Sequence, residues 1–117
     1  MDIILLTENK KQYIDLLLLA DEQESMIDRY LERGDMFVLN DNGVKAICVV
    51  ADETNGICEL KNIAVTSESQ RQGYGKRLIN YLVKHYAGKY TQMIVARVMC
   101  QVLLASIKVV DLNIHIE

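Results

Sequence analysis

The sequence predicts a single α/β (α+β) domain built on one mixed sheet, in the order strand, helix, helix, antiparallel meander, helix, strand. Three observations carry this. Two Asn-Gly pairs, Asn42-Gly43 and Asn55-Gly56, stand between short apolar runs, and such pairs tolerate the positive φ of tight hairpin turns. Three segments recur apolar at helical spacing. The last of them lies between the strand-like runs "ICELKNIAV" and "YTQMIVA". A strand–helix–strand unit of that kind crosses over right-handed and leaves its strands parallel.

Taken in order, "DIILL" reads as a first short strand. Residues 9–20 place Tyr13, Leu16, Leu17 and Ala20 on one helical face. "DEQESMIDRYLERG" predicts a second helix with Met26, Ile27, Tyr30 and Leu31 on one face and Gly34 as its stop. "DMFVL", "VKAICVVAD" and "ICELKNIAV" are the meander strands. An amphipathic helix follows over residues 74–87, with Leu78, Leu82 and His85 or Tyr86 on its inner stripe. "YTQMIVA" is the strand beyond it.

Composition narrows the class. The 117 residues suit one domain; half are hydrophobic and 25% charged, with no proline or tryptophan, as in a globular protein. "MDIILLTENKK" has an acid where a signal peptide needs positive charge, and no run approaches the roughly 20 apolar residues of a membrane span. Cys48, Cys58 and Cys100 stand apart in no metal-like spacing, and an odd number argues against a disulfide framework. A cytoplasmic protein without a metal is expected. No nucleic-acid partner is expected for a chain of net charge −3 with 6% aromatic residues and no basic stripe. The charge is segregated, however. Residues 1–60 carry 5 Lys and Arg against 13 Asp and Glu, net −8, and residues 61–117 carry 8 against 3, net +5. An anionic ligand is therefore expected in the second half.

The junction "TSESQRQGYG" between Val65 and the third helix is where such a ligand fits. A helix N-terminus offers unpaired N–H groups and a partial positive charge, and glycines in front of it let the backbone approach an anion. Gly73 and Gly75 sit there with Arg71, Lys76 and Arg77, and Gln70 and Gln72 are neutral donors. The spacing fits neither the dinucleotide fingerprint nor a Walker loop. A glycine pair of this kind also serves as an ordinary turn.

Set between "IAV" and an amphipathic helix, "Q-R-Q-G-Y-G" resembles motif A of the GNAT superfamily of N-acetyltransferases, Arg/Gln-x-x-Gly-x-Gly/Ala, matched by Gln70, Gly73 and Gly75. The element order over residues 1–95 resembles that family as well. The resemblance implies acetyl-CoA as co-substrate. Its pyrophosphate would be gripped by Gln70, Arg71, Gln72, Gly73, Tyr74, Gly75 and Lys76, and its pantetheine arm would lie along Ile63, Ala64 and Val65. Tyr74 is expected to pack beside the cofactor. Many GNAT enzymes place a glutamate on the strand before motif A, and Glu59, six residues before Val65, matches. A carboxylate there would serve as base towards the attacking amine, directly or through water. A backbone N–H near Val65 would polarise the thioester carbonyl. Glu59 equally suits a solvent-facing strand residue paired with Lys61. His85 is expected to cap or half-bury, His115 to lie on the surface and Cys58 to lie in the core.

The resemblance stops after about residue 95. The family continues with a helix, often containing Phe-Tyr and ending in Gly-Phe, that commonly supplies a tyrosine as general acid. Here the chain reads "ARVMCQVLLASIKVVDLNIHIE", so residues 96–117 are a divergent tail and Tyr90 or another group would have to replace that acid. Back-translated with free codon choice and read one frame over, "VARVMCQVLLASIKVVDL" can give Gly-Thr-Gly-Asp-Val-Pro-Ser-Thr-Ile-Ser-Phe-Tyr-Lys-Ser-Cys-Gly-Phe. This resembles the absent family segment and predicts a nucleotide lost near the Val95–Ala96 codons, which resequencing the gene would test. As written, Val98, Val102 and Leu103 suit a helix face. "VVDLNIHIE" alternates like a half-buried strand, whose exposed edge predicts pairing with a second chain into a homodimer.

Three functions remain open at this stage. The chain transfers acetyl groups to a small-molecule or peptide amine, or binds acyl-CoA without turnover, or is a structural or interaction domain.

Overall fold

Residues 1–95 and the backbone of residues 108–111 are described by a computed structural model. The sheet has six strands in the order of the sequence: β1 (Asp2–Leu6), β2 (Asp35–Asn40), β3 (Val44–Asp52), β4 (Ile57–Val65), β5 (Gln92–Val95) and β6 (Lys108–Asp111). β1 through β4 pair antiparallel, β5 pairs parallel with β4, and β6 returns antiparallel to β5. The helices are α1 (Ile14–Ala20), α2 (Glu24–Asp28) and α3 (Tyr74–Tyr86), with short 3-10 turns at Lys10–Tyr13 and Ser67–Ser69. The expected order and the parallel crossover through α3 are both present.

The period of two explains the layers. On β2 and β3, Phe37, Leu39, Ala46 and Cys48 face α3, whereas Met36, Val38, Ile47 and Val49 face α1 and α2. β3 is therefore covered on both sides. On α3, Leu78, Leu82 and Tyr86 are buried at a spacing of four, each worth about 2 kcal/mol in apolar transfer. His85 points outward and stacks on Tyr81 at 5.5 Å between centroids, so Tyr86 completes the inner stripe. The Asn42-Gly43 turn takes φ of 57° and 111°, as the pair predicts.

The second helix departs from expectation. Residues 21–34 do not form one helix: α2 ends at Asp28, and turns carry the chain on to Gly34. Ile27, Tyr30 and Leu31 are buried, but Met26 is 40% exposed, one position off their stripe. The ammonium of Lys10 explains the unwound end. Its Nζ donates to the carbonyls of Leu31 at 2.9 Å, Glu32 at 3.3 Å and Gly34 at 2.7 Å, acceptors that a continuing helix would use internally. The predicted tail helix through Val98, Val102 and Leu103, Cys100, His115 and the end of the predicted tail strand lie outside the described residues. β6 covers the start of that strand.

Candidate active site

β4 organises the site through a break in its own parity. Cys58 and Leu60 face α3, and so do Ile63 and Val65, three residues on instead of two. The register shows why. Val50 pairs with Leu60 and Val49 with Asn62, so Lys61 is an extra residue, a β-bulge. Glu59, Lys61 and Asn62 all consequently serve the α1–α2 face. Lys61 Nζ donates to Glu59 Oε1 at 2.9 Å and lies 3.2 Å from Glu53, which also meets Arg33 at 3.3 Å. Burial opposes the Lys61 ammonium, but its two carboxylate partners outweigh that and raise its pKa. Glu59 is thus the Lys61-paired strand residue that its sequence allows, half-buried and beside a cleft.

Beyond the bulge β4 presents a free edge. β5 pairs with Ile57 through Leu60 only, so among the described residues no strand lies beside Lys61–Val65 on that side. Ile63, Ala64 and Val65 are buried, and their edge runs into the glycine junction.

At the junction the chain alternates handedness. Arg71 takes φ of 67° and Gly73 φ of 87°, and Gly73 is the cap from which α3 departs. A left-handed Arg is strained, and such strain gathers at functional turns. Gly73 brings no capping side chain, and the first helical bond runs from Arg77 N–H to the Gly73 carbonyl. The N–H groups of the first turn therefore point out of the helix. A Cβ built on Gly73 would meet nothing within 4 Å: the space in front of the helix is open. Arg71, Lys76 and Arg77 are exposed around it. Gln70 Nε2 donates to the Val65 carbonyl at 3.3 Å and Gln72 Nε2 to the Glu68 carbonyl at 3.2 Å, so both amides brace the loop. Tyr74 does more than pack. Its hydroxyl donates to Asp41 Oδ2 at 2.8 Å, tying α3 to the β2–β3 turn, and that bond raises its pKa.

On the α1–α2 face an open cleft of about 390 Å³ is lined by Ala20, Asp21, Glu22, Gln23, Met26 and Lys61. Behind it Asn62 Nδ2 donates to the Leu17 carbonyl at 2.9 Å and to Tyr30 Oη at 3.0 Å, and Tyr30 donates on to Asp21 Oδ2 at 3.3 Å. Burial pushes the Tyr30 hydroxyl up to about 12, which keeps it a donor. Asn62 Oδ1 is buried without a partner. None of Asp21, Tyr30 or Asn62 was singled out as a site residue from the sequence. The parity slip between Leu60 and Ile63 is the signal that could have shown the bulge and, with it, Asn62.

Cys58 is fully buried, and burial pushes its thiol up to about 11, so it is a core residue. Tyr90 packs on Tyr86 at 5.3 Å on the α3 side, near the start of β4 and away from the junction. Among the described residues no group of His, Cys, Asp or Glu is placed to hold a metal, and no helix is long and apolar enough to cross a membrane.

This mixed sheet, with a bulged fourth strand leading through a glycine turn into the crossover helix, has the strand–loop–helix order that the resemblance to an acyltransferase domain implies. Comparison with known proteins makes this specific. Residues 32–108 match the acetyltransferase (GNAT) domain family. The chain is 34% identical over 73 residues to an uncharacterized N-acetyltransferase, YvbK, of Bacillus subtilis (strain 168), covering 62% of this chain and 47% of that protein. It is 30% identical to the IAA acetyltransferase from Bacillus cereus ATCC 14579, with a TM-score of 0.71 over 80% of this chain and 65% of that one. It is also 30% identical to a GNAT family acetyltransferase from Elizabethkingia anophelis solved with acetyl-CoA bound, with a TM-score of 0.74 over 80% of this chain and 63% of that one. The chain belongs to the GNAT acetyltransferase family. It spans about half the length of the curated relative and under two thirds of these solved structures.

Proposed function

We propose that this protein transfers the acetyl group of acetyl-CoA to an amine. The observation that carries the reading is the free edge of β4, residues 61–65, running directly into the Gly73-led N-terminus of α3. A diphosphate fits that end, because it needs N–H donors, positive charge and room. The first turn of α3 supplies the donors, Arg71 and Lys76 the charge, and the absent Cβ of Gly73 the room. Gln70, Gln72, Tyr74 and Gly75 shape the cradle. Ile63, Ala64 and Val65 offer their edge N–H and carbonyl groups to the amides of an extended arm.

An acetyl thioester supplies an activated carbonyl. An arm laid along Val65 to Ile63 brings that carbonyl to the bulge at Lys61–Asn62 rather than back to Val65, since the diphosphate end is fixed at the loop. The oxyanion donor is then an edge N–H next to the bulge. There Glu59 is in reach as base. The amine nitrogen bonds to the acetyl carbon, the carbon–sulfur bond breaks, thiolate leaves, and the amine proton passes to Glu59 or to water. Lys61, hydrogen-bonded to Glu59 at 2.9 Å, fixes the position of that carboxylate.

Binding without turnover is the second reading. The described residues favour it in one respect: Tyr90 lies on the α3 side, away from the junction. Release of thiol from acetyl-CoA in the presence of an amine panel separates the two. Thiol release that Glu59→Gln slows at least tenfold supports transfer; tight cofactor binding with no release in any amine supports the second reading. We further propose a reducing, cytoplasmic setting, consistent with the free, buried Cys48 and Cys58, and a homodimer through the tail edge. Light scattering that shows only monomer at high concentration would rule out the dimer.

A further inference from the structure

Acetyl transfer to an amine does not by itself call for the hydrogen-bonded chain that holds Asp21 at the rim of the 390 Å³ cleft. The cleft's charge is unbalanced. Lys61, its one cationic lining residue, is already neutralised by Glu59 and Glu53. Asp21 and Glu22 pair with no cation among the described residues. Asp21 is held instead by a neutral hydroxyl, that of Tyr30, itself fixed by Asn62. A neutral donor fixes the position of a carboxylate without cancelling its charge. Asn62 Oδ1, buried without a partner on the same face of β4, adds an unused acceptor behind the wall.

We propose that the acceptor carries a second cation, as a small di- or polyamine does, and that Tyr30 is the positioning residue that holds Asp21 to receive it. The proposal rests on the acetyl-transfer reading and names the acceptor class for that same site. One amino group reaches the bulge beside Glu59 while the other, still an ammonium, sits between Asp21 and Glu22. The cleft's volume suits a small molecule, and two of its six lining residues, Asp21 and Glu22, are carboxylates.

The test compares 1,4-diaminobutane, 1-aminobutane and 4-aminobutanoate with the full chain. Calorimetric titration reads binding of each probe, thiol release reads turnover, and a separate titration with acetyl-CoA checks the cofactor site. The expected order is diamine, then monoamine, then amino acid, with the diamine preferred about tenfold over the monoamine. Asp21→Asn should remove that preference by raising KM with kcat little changed. Tyr30→Phe should reduce it, and Asp21→Glu should restore part of it, an outcome a merely structural role would not give. Circular dichroism confirms that each variant is folded. A diamine preference that survives Asp21→Asn, or no diamine preference in the parent, overturns the proposal. If acetyl-CoA binds and diamines do not, this proposal falls and acetyl transfer stands. If acetyl-CoA does not bind, acetyl transfer falls, and diamine binding still reports on Asp21 directly.

Discussion

Replacing Tyr86 by Phe should cost stability in a pH-dependent way that the structure sets. The Tyr86 hydroxyl donates to Asp35 Oδ2 at 2.6 Å across the α3–β2 interface. Its ring is buried, edge-on to Phe37 at 6.2 Å. Phenylalanine keeps the ring contacts and loses only the bond to the carboxylate, worth about 1.5–3 kcal/mol. At about 2.1 cal/mol/K per residue of unfolding entropy, that lowers Tm by roughly 6–12 °C for a chain of this length. The alkaline limb sharpens the prediction. Burial first, and the Asp35 bond second, push the Tyr86 hydroxyl far above the usual phenol range. Above pH about 10 the unfolded chain gives up that proton while the folded chain keeps it, so stability falls with rising pH by about 1.4 kcal/mol per unit for each such group. Tyr30, pushed up to about 12, adds a second slope between pH 10 and 12. Below pH 10 neither tyrosine contributes any slope. Urea unfolding of parent and Tyr86→Phe at pH 8, 10 and 11 is the assay. The variant should be weaker at pH 8 and should lose less between pH 10 and 11, by about 1 kcal/mol. Equal stability at pH 8, or parallel losses above pH 10, would show that the Tyr86–Asp35 bond does not stabilise the fold.

Other substitutions separate structure from site. Lys10→Met removes the donor shared by three carbonyls at the end of the α2 turns and should destabilise by about 2–3 kcal/mol, read by urea unfolding. Gly34→Ala should cost about 1–3 kcal/mol, because its Cβ would lie 2.8 Å from Val49 Cγ1 and 2.9 Å from the Tyr30 carbonyl. Gly73→Ala places a Cβ at φ of 87° but against no neighbour, so stability should drop by only about 1 kcal/mol while acetyl-CoA affinity falls at least tenfold, read by calorimetry.

Much of the fold was legible because its signals are local. The Asn42-Gly43 and Asn55-Gly56 turns depend on which residues accept positive φ, and the inner stripe of α3 on a spacing of four. The motif A loop was legible for the same reason, since Gly73 and Gly75 sit at a strand–helix junction that pattern alone locates. What failed depends on partners distant in sequence. Residues 21–34 read as one helix because nothing local announces that Lys10 will take the carbonyls of Leu31, Glu32 and Gly34. Met26 looked like core and instead lines the cleft. The chain from Asn62 through Tyr30 to Asp21 joins β4 to the α1–α2 segment, and no periodicity within either one shows it. The bulge at Lys61 lies between these cases. Its trace, three residues separating Leu60 from Ile63 on one face, is visible in "ELKNIAV" to anyone counting parity.

On the proposed reading, the glycine junction and the free edge of β4 together hold acetyl-CoA. Calorimetric titration of the purified protein with acetyl-CoA, beside Gly73→Glu as the blocked control, tests it most directly. The expected result is one-to-one binding in the parent that weakens as salt rises, because part of it is the charge of Arg71 and Lys76 on a diphosphate, and that Gly73→Glu abolishes. Absence of binding in the folded parent, or binding that Gly73→Glu leaves intact, would contradict it.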